Sequence, residues 1–369
     1  MPRPHLPKLP RNIEELAQWY MRYVSPFSLV AALFIDTFFL LRRVDTPLTS
    51  LVLFFYLTLA AFIIVLINLI QTGRLRQWWL LKITPMLPVI SQFAFGGLFI
   101  AFLSLYSRSA TFSLTWIFVA AIAALLIANE RFVRLYMRFS FQMSIFYLVL
   151  FSFLIFYIPL VFRTIGPWMF VASGIASLLA MAAFLRLQVY FTPELVRENL
   201  TAIARSVAII FVAFNVLYFT GAIPPLPLAL KEAGIYHGIS RVGVEYRLLT
   251  EPAAWYEAYL PYKTVFHGTE GESAYLYTAV FAPAGLSTII FHEWQHYDQG
   301  MHSWITEQTI PFPIVGGRDE GYRGYTIKEE PALGDWRVNV MTEFGHIIGR
   351  VSFRVVTASE SVPLEVVIR

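Results

Sequence analysis

The chain has 369 residues, of which 57% are apolar and 14% are charged; its formal net charge is +4 and its mean hydropathy +0.60. About a quarter of the residues of a soluble domain are charged, so this composition excludes a protein that is soluble along its whole length. The absence of cysteine excludes disulfide bonds and thiolate catalysis.

The first 23 residues are polar and basic, and no small-residue cleavage site follows the first apolar run. This pattern is typical of a signal anchor that stays in the protein, not of a cleaved signal peptide. We therefore expect residues 1–23 to form a cytoplasmic N-terminal segment.

Seven apolar segments follow, each long enough to cross a bilayer core as a helix, the first with help from its flanks. A helix is expected because it satisfies its own backbone hydrogen bonds in hydrocarbon. The segments are 24–41, 50–71, 86–106, 111–129, 139–162, 167–185 and 201–220. Residues 24–220 are therefore predicted to form a transmembrane domain of about seven helices.

The distribution of Lys and Arg predicts the orientation of these helices. With the N-terminus in the cytoplasm, the cytoplasmic segments hold thirteen basic residues and the outer loops hold four. An excess of basic residues marks the cytoplasmic side of a membrane protein. Seven crossings would then place the C-terminus outside the cytoplasm.

A change of composition near residue 220 predicts a domain boundary. The proline-rich segment 220–228 cannot continue a helix, because proline lacks the amide donor and clashes with the preceding turn. Residues 1–220 carry a net charge of +10, and residues 221–369 a net charge of −6. The basic charge belongs to the loops between membrane segments, so we expect no nucleic-acid partner.

Residues 221–369 show the alternation of half-buried strands. Trp336, Val338 and Val340 alternate with Arg337 and Asn339, and residues 347–355 alternate in the same way. Turn signals recur about every ten residues, which favours an antiparallel β sandwich as an extracytoplasmic domain.

Five further segments of the chain form a distinctive set: Phe214–Thr220, Ile223–Leu228, Gly234–His237, Gly316–Tyr325 and Gly334–Val338. With these segments the chain resembles the bacterial DUF2914 family, most specifically from Phe214 to Val356. Members of that family pair such a C-terminal domain with a helical membrane region, in many cases the one called DUF5924. The resemblance implies a bacterial envelope protein in the inner membrane with a periplasmic β domain, and it brings no activity.

The run from His292 to His296 matches the H-E-x-x-H motif. On a helix it would place both imidazoles around a zinc ion, with Glu293 as general base. On a strand the two histidines would lie about 13 Å apart, too far for one ion. The β-rich residues before the motif and the turn signal after it favour the strand, with Ile290, His292, Trp294 and His296 on one face, and no metal or other cofactor is expected.

Asp36 lies inside the first apolar segment, where an ionisable side chain is costly and usually has a partner. A proton relay, an ion site or a contact between helices would explain it. So would an ion pair with Arg42 or Arg43 that anchors the outer end of a short span.

Aromatic and charged residues also crowd around glycines between Trp304 and Trp336. Such groups suit recognition of sugars, phosphates or proteins, but they also suit a stapled turn with aromatics packed into the sandwich. The candidate binding residues of the domain are His292, Trp294, His296, Trp304, Arg318, Asp319, Tyr322, Arg323, Tyr325 and Trp336.

Three functions fit these features. The first is a non-enzymatic envelope protein, in contact with the lipid bilayer, whose outer domain binds a partner protein, a glycan or a lipid headgroup. The second is a membrane-bound hydrolase that uses His292, Glu293 and His296. The third is a transporter or a transport accessory that uses Asp36. A fold alone cannot decide among them.

Overall fold

A computed structural model describes residues 15, 19, 46–107, 115–224, 227–252, 264–269, 271–318, 320–358 and 362–369. The chain divides into two compact units. Among the described residues, the first comprises those up to 107 together with 117–161 and 167–222, and the second comprises 115–116, 162–166 and those from 223 onward. The predicted first span, with Asp36, lies outside the described residues.

The first unit is helical. Its helices are α1 (Pro47–Gln71), α2 (Trp78–Ile83), α3 (Leu87–Ser107), α4 (Thr115–Asn129), α5 (Phe139–Phe162), α6 (Pro167–Phe191) and α7 (Pro193–Phe219), with short 3₁₀ turns before α3 and before α5. Six of the seven predicted apolar segments are therefore helices in the part of the chain that the structure describes. Five helical stretches are long and apolar enough to cross a bilayer, and α4 is an apolar helix of 15 residues.

Helix α7 begins eight residues before its predicted start at 201. Pro193 occupies the first turn, where its missing amide costs nothing. The charged residues Glu194, Arg197 and Glu198 then lie in the first two turns, where an apolar pattern cannot reveal a helix. Glu194 pairs with Arg74 at 3.3 Å, an exposed ion pair that adds little stability.

Several polar side chains within the helical unit bond to other groups of that unit. The Asn129 amide donates to the backbone oxygen of Gln92 at 3.0 Å, and the Gln92 amide donates to Glu130 at 2.9 Å. The Gln142 amide donates to the backbone oxygen of Tyr136 at 2.6 Å. Such bonds join segments that are apolar over most of their surface.

The second unit contains eleven strands among its described residues. They are β1 (Ala229–Tyr236), β2 (Gly238–Val242), β3 (Glu245–Thr250), β4 (Thr264–Gly268), β5 (Ala274–Phe281), β6 (Ser287–Asp298), β7 (Ser303–Val315), β8 (Tyr322–Lys328), β9 (Gly334–Thr342), β10 (Ile347–Thr357) and β11 (Glu365–Ile368).

The strands form three sheets, ordered β1-β5-β8, β4-β10-β9-β6-β7 and β11-β3-β2. The first two share a core in which Leu276 of β5 meets Trp294, Trp336 and Phe353 of the five-stranded sheet. This confirms a β-rich C-terminal region with antiparallel sheets. The prediction of an entirely antiparallel domain is wrong in one place, since β4 pairs with β10 in parallel.

The third sheet was also not predicted. Tyr246 and Leu248 of β3 pack on Tyr277 and Ala279 of β5, on the side of β5 opposite the main core. Strand β5 is therefore buried on both faces, which explains its nearly continuous apolar sequence. The domain has three layers instead of the two of a simple sandwich.

The segment 162–166 belongs to the second unit, although it links α5 to α6. Ile165 packs against the core cluster that contains Leu228, Leu286 and Ile348. The side chain of Arg163 lies about 3 Å from the position that a Cβ atom on Gly285 would take. This helix connection is thus part of the packing of the β domain.

A polar face on the β domain

The H-E-x-x-H motif lies on strand β6, as predicted. His292 is fully buried between the two main sheets. Its ring nitrogens lie 3.2 Å from the hydroxyl of Thr278 and 3.0 Å from that of Thr326, on β5 and β8. A neutral imidazole donates one of these bonds and accepts the other, so His292 is held as a satisfied core residue.

Trp294 and Trp336, two of the predicted binding residues, are also fully buried. The Trp294 indole donates to the hydroxyl of Thr326 at 3.3 Å, and the Trp336 indole donates to the Ala332 oxygen at 2.7 Å. With its polar atom bonded and its ring in the core, neither indole has a surface left for a ligand. His296 lies at the rim, stacked on Trp336 at 4.8 Å, with Nε2 3.3 Å from the Leu333 oxygen.

The predicted recognition loop from Gly316 to Gly324 is held by the fold. The amides of Gly316 and Gly317 donate to the oxygens of Leu286 and Ala282 at 2.8 and 3.0 Å. A Cβ atom on Gly316 would lie 1.9 Å from the Pro283 oxygen, so only glycine fits there. This close packing favours a structural role for the loop.

The other predicted residues of this region do not converge on one site. Arg318 lies over the Tyr322 ring at 5.2 Å, and Arg323 pairs with Glu320. Tyr325 lies beside two tyrosine rings of neighbouring strands, at 6.3 and 6.4 Å. Asp319 lies outside the described residues.

The polar side chains of the five-stranded sheet converge instead on its outer face. We call this surface the polar face. It is formed by Glu293, Gln295 and Tyr297 of β6, Trp304 and Thr306 of β7, Asp335, Arg337 and Asn339 of β9, and Arg350, Ser352 and Arg354 of β10. Trp304 is the one predicted binding residue in this set.

A continuous hydrogen-bond network crosses the polar face. Glu293 accepts from the Asn339 amide at 2.7 Å and from the Thr306 hydroxyl at 3.1 Å. Gln295 donates to Thr306 at 2.9 Å and accepts from Arg337 Nε at 2.6 Å. The oxygen of Asn339 accepts from Arg350 Nε at 2.6 Å. The side chains of four strands, β6, β7, β9 and β10, are therefore held in fixed rotamers by hydrogen bonds to one another.

Sequence reasoning missed Arg337, Asn339 and Arg350 as site residues. The usable signal was the alternation itself, because the polar positions of adjacent strands lie on one face and the apolar positions on the other. The prediction relied on aromatic residues instead, and Trp294 and Trp336 lie on the other face of the sheet, in the core.

A second polar cluster joins the residue between β1 and β2, the residue after β3, strand β4 and the turn before β5. His237 lies between two carboxylates, 2.6 Å from Glu272 and 2.9 Å from Glu251, and Glu251 also binds His267 at 2.7 Å. Burial raises the pKa of the Glu251 carboxyl, but hydrogen bonds from the His267 amide and from both imidazoles outweigh it, and the pKa falls below its ordinary value. The groups of this cluster are bonded to one another, which favours a structural role in holding these segments together.

A pocket of about 400 Å³ opens beside this cluster. Its walls include Phe266, Val355 and Leu333 together with the carboxylates of Glu272 and Glu330. Within the described part of the chain, no three His, Asp or Glu side chains are placed to hold one metal ion.

The burial of His292 predicts a pH dependence of stability. Burial lowers the pKa of His292 from 6.5 to about 4. Between these values the unfolded chain binds a proton that the folded chain does not, so the free energy of unfolding falls as the pH falls from 6.5 towards 4, by roughly 3 kcal/mol. Urea titrations of the full chain in detergent at several pH values measure this change.

The variant His292→Gln isolates the effect, because an amide keeps hydrogen-bonding capacity and does not titrate. We expect its stability to be nearly constant between pH 6.5 and 5, where wild type loses stability. Parallel curves for the two proteins would contradict the buried, neutral imidazole.

Comparison with known proteins supplies no function. No curated protein matches the chain. One solved structure that resembles it is the Pseudomonas fluorescens alkylpurine DNA glycosylase AlkC bound to DNA containing an abasic site analog, at 11% identity over 94% of this chain and 99% of that chain. Its TM-score of 0.20 is too low to show a shared fold.

A family model does match part of the β domain. Residues 287–355 match the model described as "Protein of unknown function (DUF2914)". The resemblance to DUF2914 is thus supported over this stretch, and the match does not extend to the helical region. The matched residues run from the start of β6 into β10.

Proposed function

We propose that the chain is a non-enzymatic protein of the bacterial inner membrane whose β domain binds a ligand in the periplasm through the polar face. Five long apolar helical stretches support the membrane part of this proposal. The excess of basic residues in the segments assigned to the cytoplasm supports the orientation. The packing of Ile165 with the β domain agrees with this orientation. Ile165 lies in the connection between α5 and α6, which is expected outside the cytoplasm, as is the C-terminal β domain.

The polar face is the observation that carries the proposal. Polar side chains of four strands are joined there by hydrogen bonds, and the Arg337 guanidinium lies 4.3 Å from the centre of the Trp304 ring. A surface whose side chains are already ordered loses less entropy when a ligand binds. An aromatic ring beside arginines is also the composition found at binding hot spots.

The structure disfavours the hydrolase alternative at a specific point. His292 lies in the core, bonded to Thr278 and Thr326, whereas Glu293 points to the opposite side of the same strand. A general base and a metal ligand must converge on one substrate, and neighbouring residues of a strand face opposite ways.

The orientation is tested by reporter fusions that are active only in the periplasm. A fusion after Arg369 should be active, and one inserted within 131–138, between α4 and α5, should be inactive. The reverse pattern would overturn the orientation and with it the periplasmic location of the β domain.

Recognition through the polar face is tested by photo-crosslinking in native membranes. A photoreactive residue at Ser352, which lies opposite Arg337 on the polar face, should give a covalent adduct with a defined mass. The matched control is Val244, which is 82% exposed at the turn between β2 and β3 and should give none. Equal labelling at both positions, or none at Ser352, would contradict recognition at this face.

A further inference from the structure

Two arginines lie close together on the polar face. Arg350 of β10 is opposite Asn339 of β9, and Arg337 precedes Asn339 by two residues on β9. This diagonal relation across antiparallel strands brings long side chains within reach of each other. Burial, and then the charge of Arg350, lower the pKa of Arg337, which reflects the nearness of the two guanidinium groups.

Each of these guanidinium groups is fixed through one nitrogen. Arg337 uses Nε to bond Gln295, and Arg350 uses Nε to bond Asn339. Within the described part of the chain, the terminal nitrogens of both arginines make no hydrogen bond to protein. A guanidinium presents its donors as a planar fork, so both residues keep the donors that suit an oxyanion.

The charges around the pair do not balance. Glu293 is the carboxylate within the network, and it is shared through Asn339 and Thr306. Arg354 stands on the same face but is already paired with Asp335 through two bonds of 2.7 and 3.2 Å. Arg337 and Arg350 against Glu293 therefore leave one positive charge in excess.

Resting on the proposed function, we propose that Arg337 and Arg350 bind the monoanionic phosphodiester of a membrane phospholipid headgroup. One phosphodiester neutralises the single excess charge. A phosphomonoester carries about −1.5 to −2 at pH 7 and would overcompensate it. The two forks supply donors from two directions to the tetrahedral phosphate, and Trp304 and Asn339 hold them in place.

The experiment uses the full chain in an uncharged polyoxyethylene detergent, titrated calorimetrically with short-chain dihexanoyl phosphatidylglycerol. We expect saturable binding, weakened at least about tenfold by Arg337→Gln and by Arg350→Gln, since each removes a charged fork from the ligand. Inorganic phosphate, titrated separately, should bind at least about tenfold more weakly than the lipid. Equal binding of both would overturn the lipid assignment in favour of a free-phosphate site.

The variant Arg241→Gln is the matched control. It removes an exposed arginine of β2, in the third sheet and outside the polar face, whose guanidinium is likewise bonded through Nε, to the Gly243 oxygen at 3.1 Å. Its affinity should equal that of wild type. If all three glutamine variants lose affinity alike, a diffuse surface potential is responsible and the defined site is wrong.

A lysine variant separates geometry from charge and from folding. Arg337→Lys keeps the charge but not the fork, so its affinity should fall between those of wild type and Arg337→Gln. Full affinity in the lysine variant would overturn the role of the fork. Unchanged affinity in both glutamine variants would overturn the site itself.

The crosslinking experiment distinguishes a failure of the phospholipid proposal from a failure of the proposed function. A protein adduct at Ser352 would leave recognition at the polar face standing and remove the phospholipid. The absence of any adduct there would remove both.

Discussion

The alternation of side chains along β6 is the constraint on which the β domain depends. Because successive residues point to opposite sides of a strand, one run of sequence serves two environments. Ile290, His292 and Trp294 point inward and are fully buried, while Glu293 and Gln295 point outward into the hydrogen-bond network. A shift of one residue in the pairing of β6 with β9 would put Glu293 into the core and remove both arrangements at once. The core and the polar face are therefore specified together.

Several buried polar groups of this domain bond to groups on other strands. His292 and Trp294 bond to threonine hydroxyls of the facing sheet, so breaking the sheet packing would leave these polar atoms without partners. Glu251 and Glu272 do the same for His237 at the edge of the core. Arg337 and Arg350 differ, since protein groups engage their Nε atoms and leave the terminal nitrogens available. This difference leaves guanidinium donors on the polar face that could bond to a ligand.

Much of the fold could be predicted from the sequence, because long apolar runs and alternating polar and apolar residues are typical of different elements. Long apolar runs predicted the helices, and the end of α5 at Phe162 agrees with its predicted bound. The start of α7 was missed, since charged residues occupy its first turns. The third sheet and the parallel β4–β10 pair depend on long-range packing that no local pattern encodes. Trp336 was predicted to bind a ligand because it is aromatic, whereas its alternation with Arg337 correctly predicted a strand with two unlike faces.

The central claim is that the two faces of β6 have separate roles, the inner face in folding and the outer face in binding. An alanine scan of residues 290–295 in the full chain tests it directly, with urea stability and phosphatidylglycerol affinity measured on every variant. Trp294→Ala should lower the free energy of unfolding by about 3–5 kcal/mol, as expected for a large aromatic side chain lost from a core. Gln295→Ala should lower affinity while changing stability by about 1 kcal/mol or less, because it releases Arg337 from its position. Loss of affinity that follows loss of stability at every position, inner and outer alike, would contradict the claim.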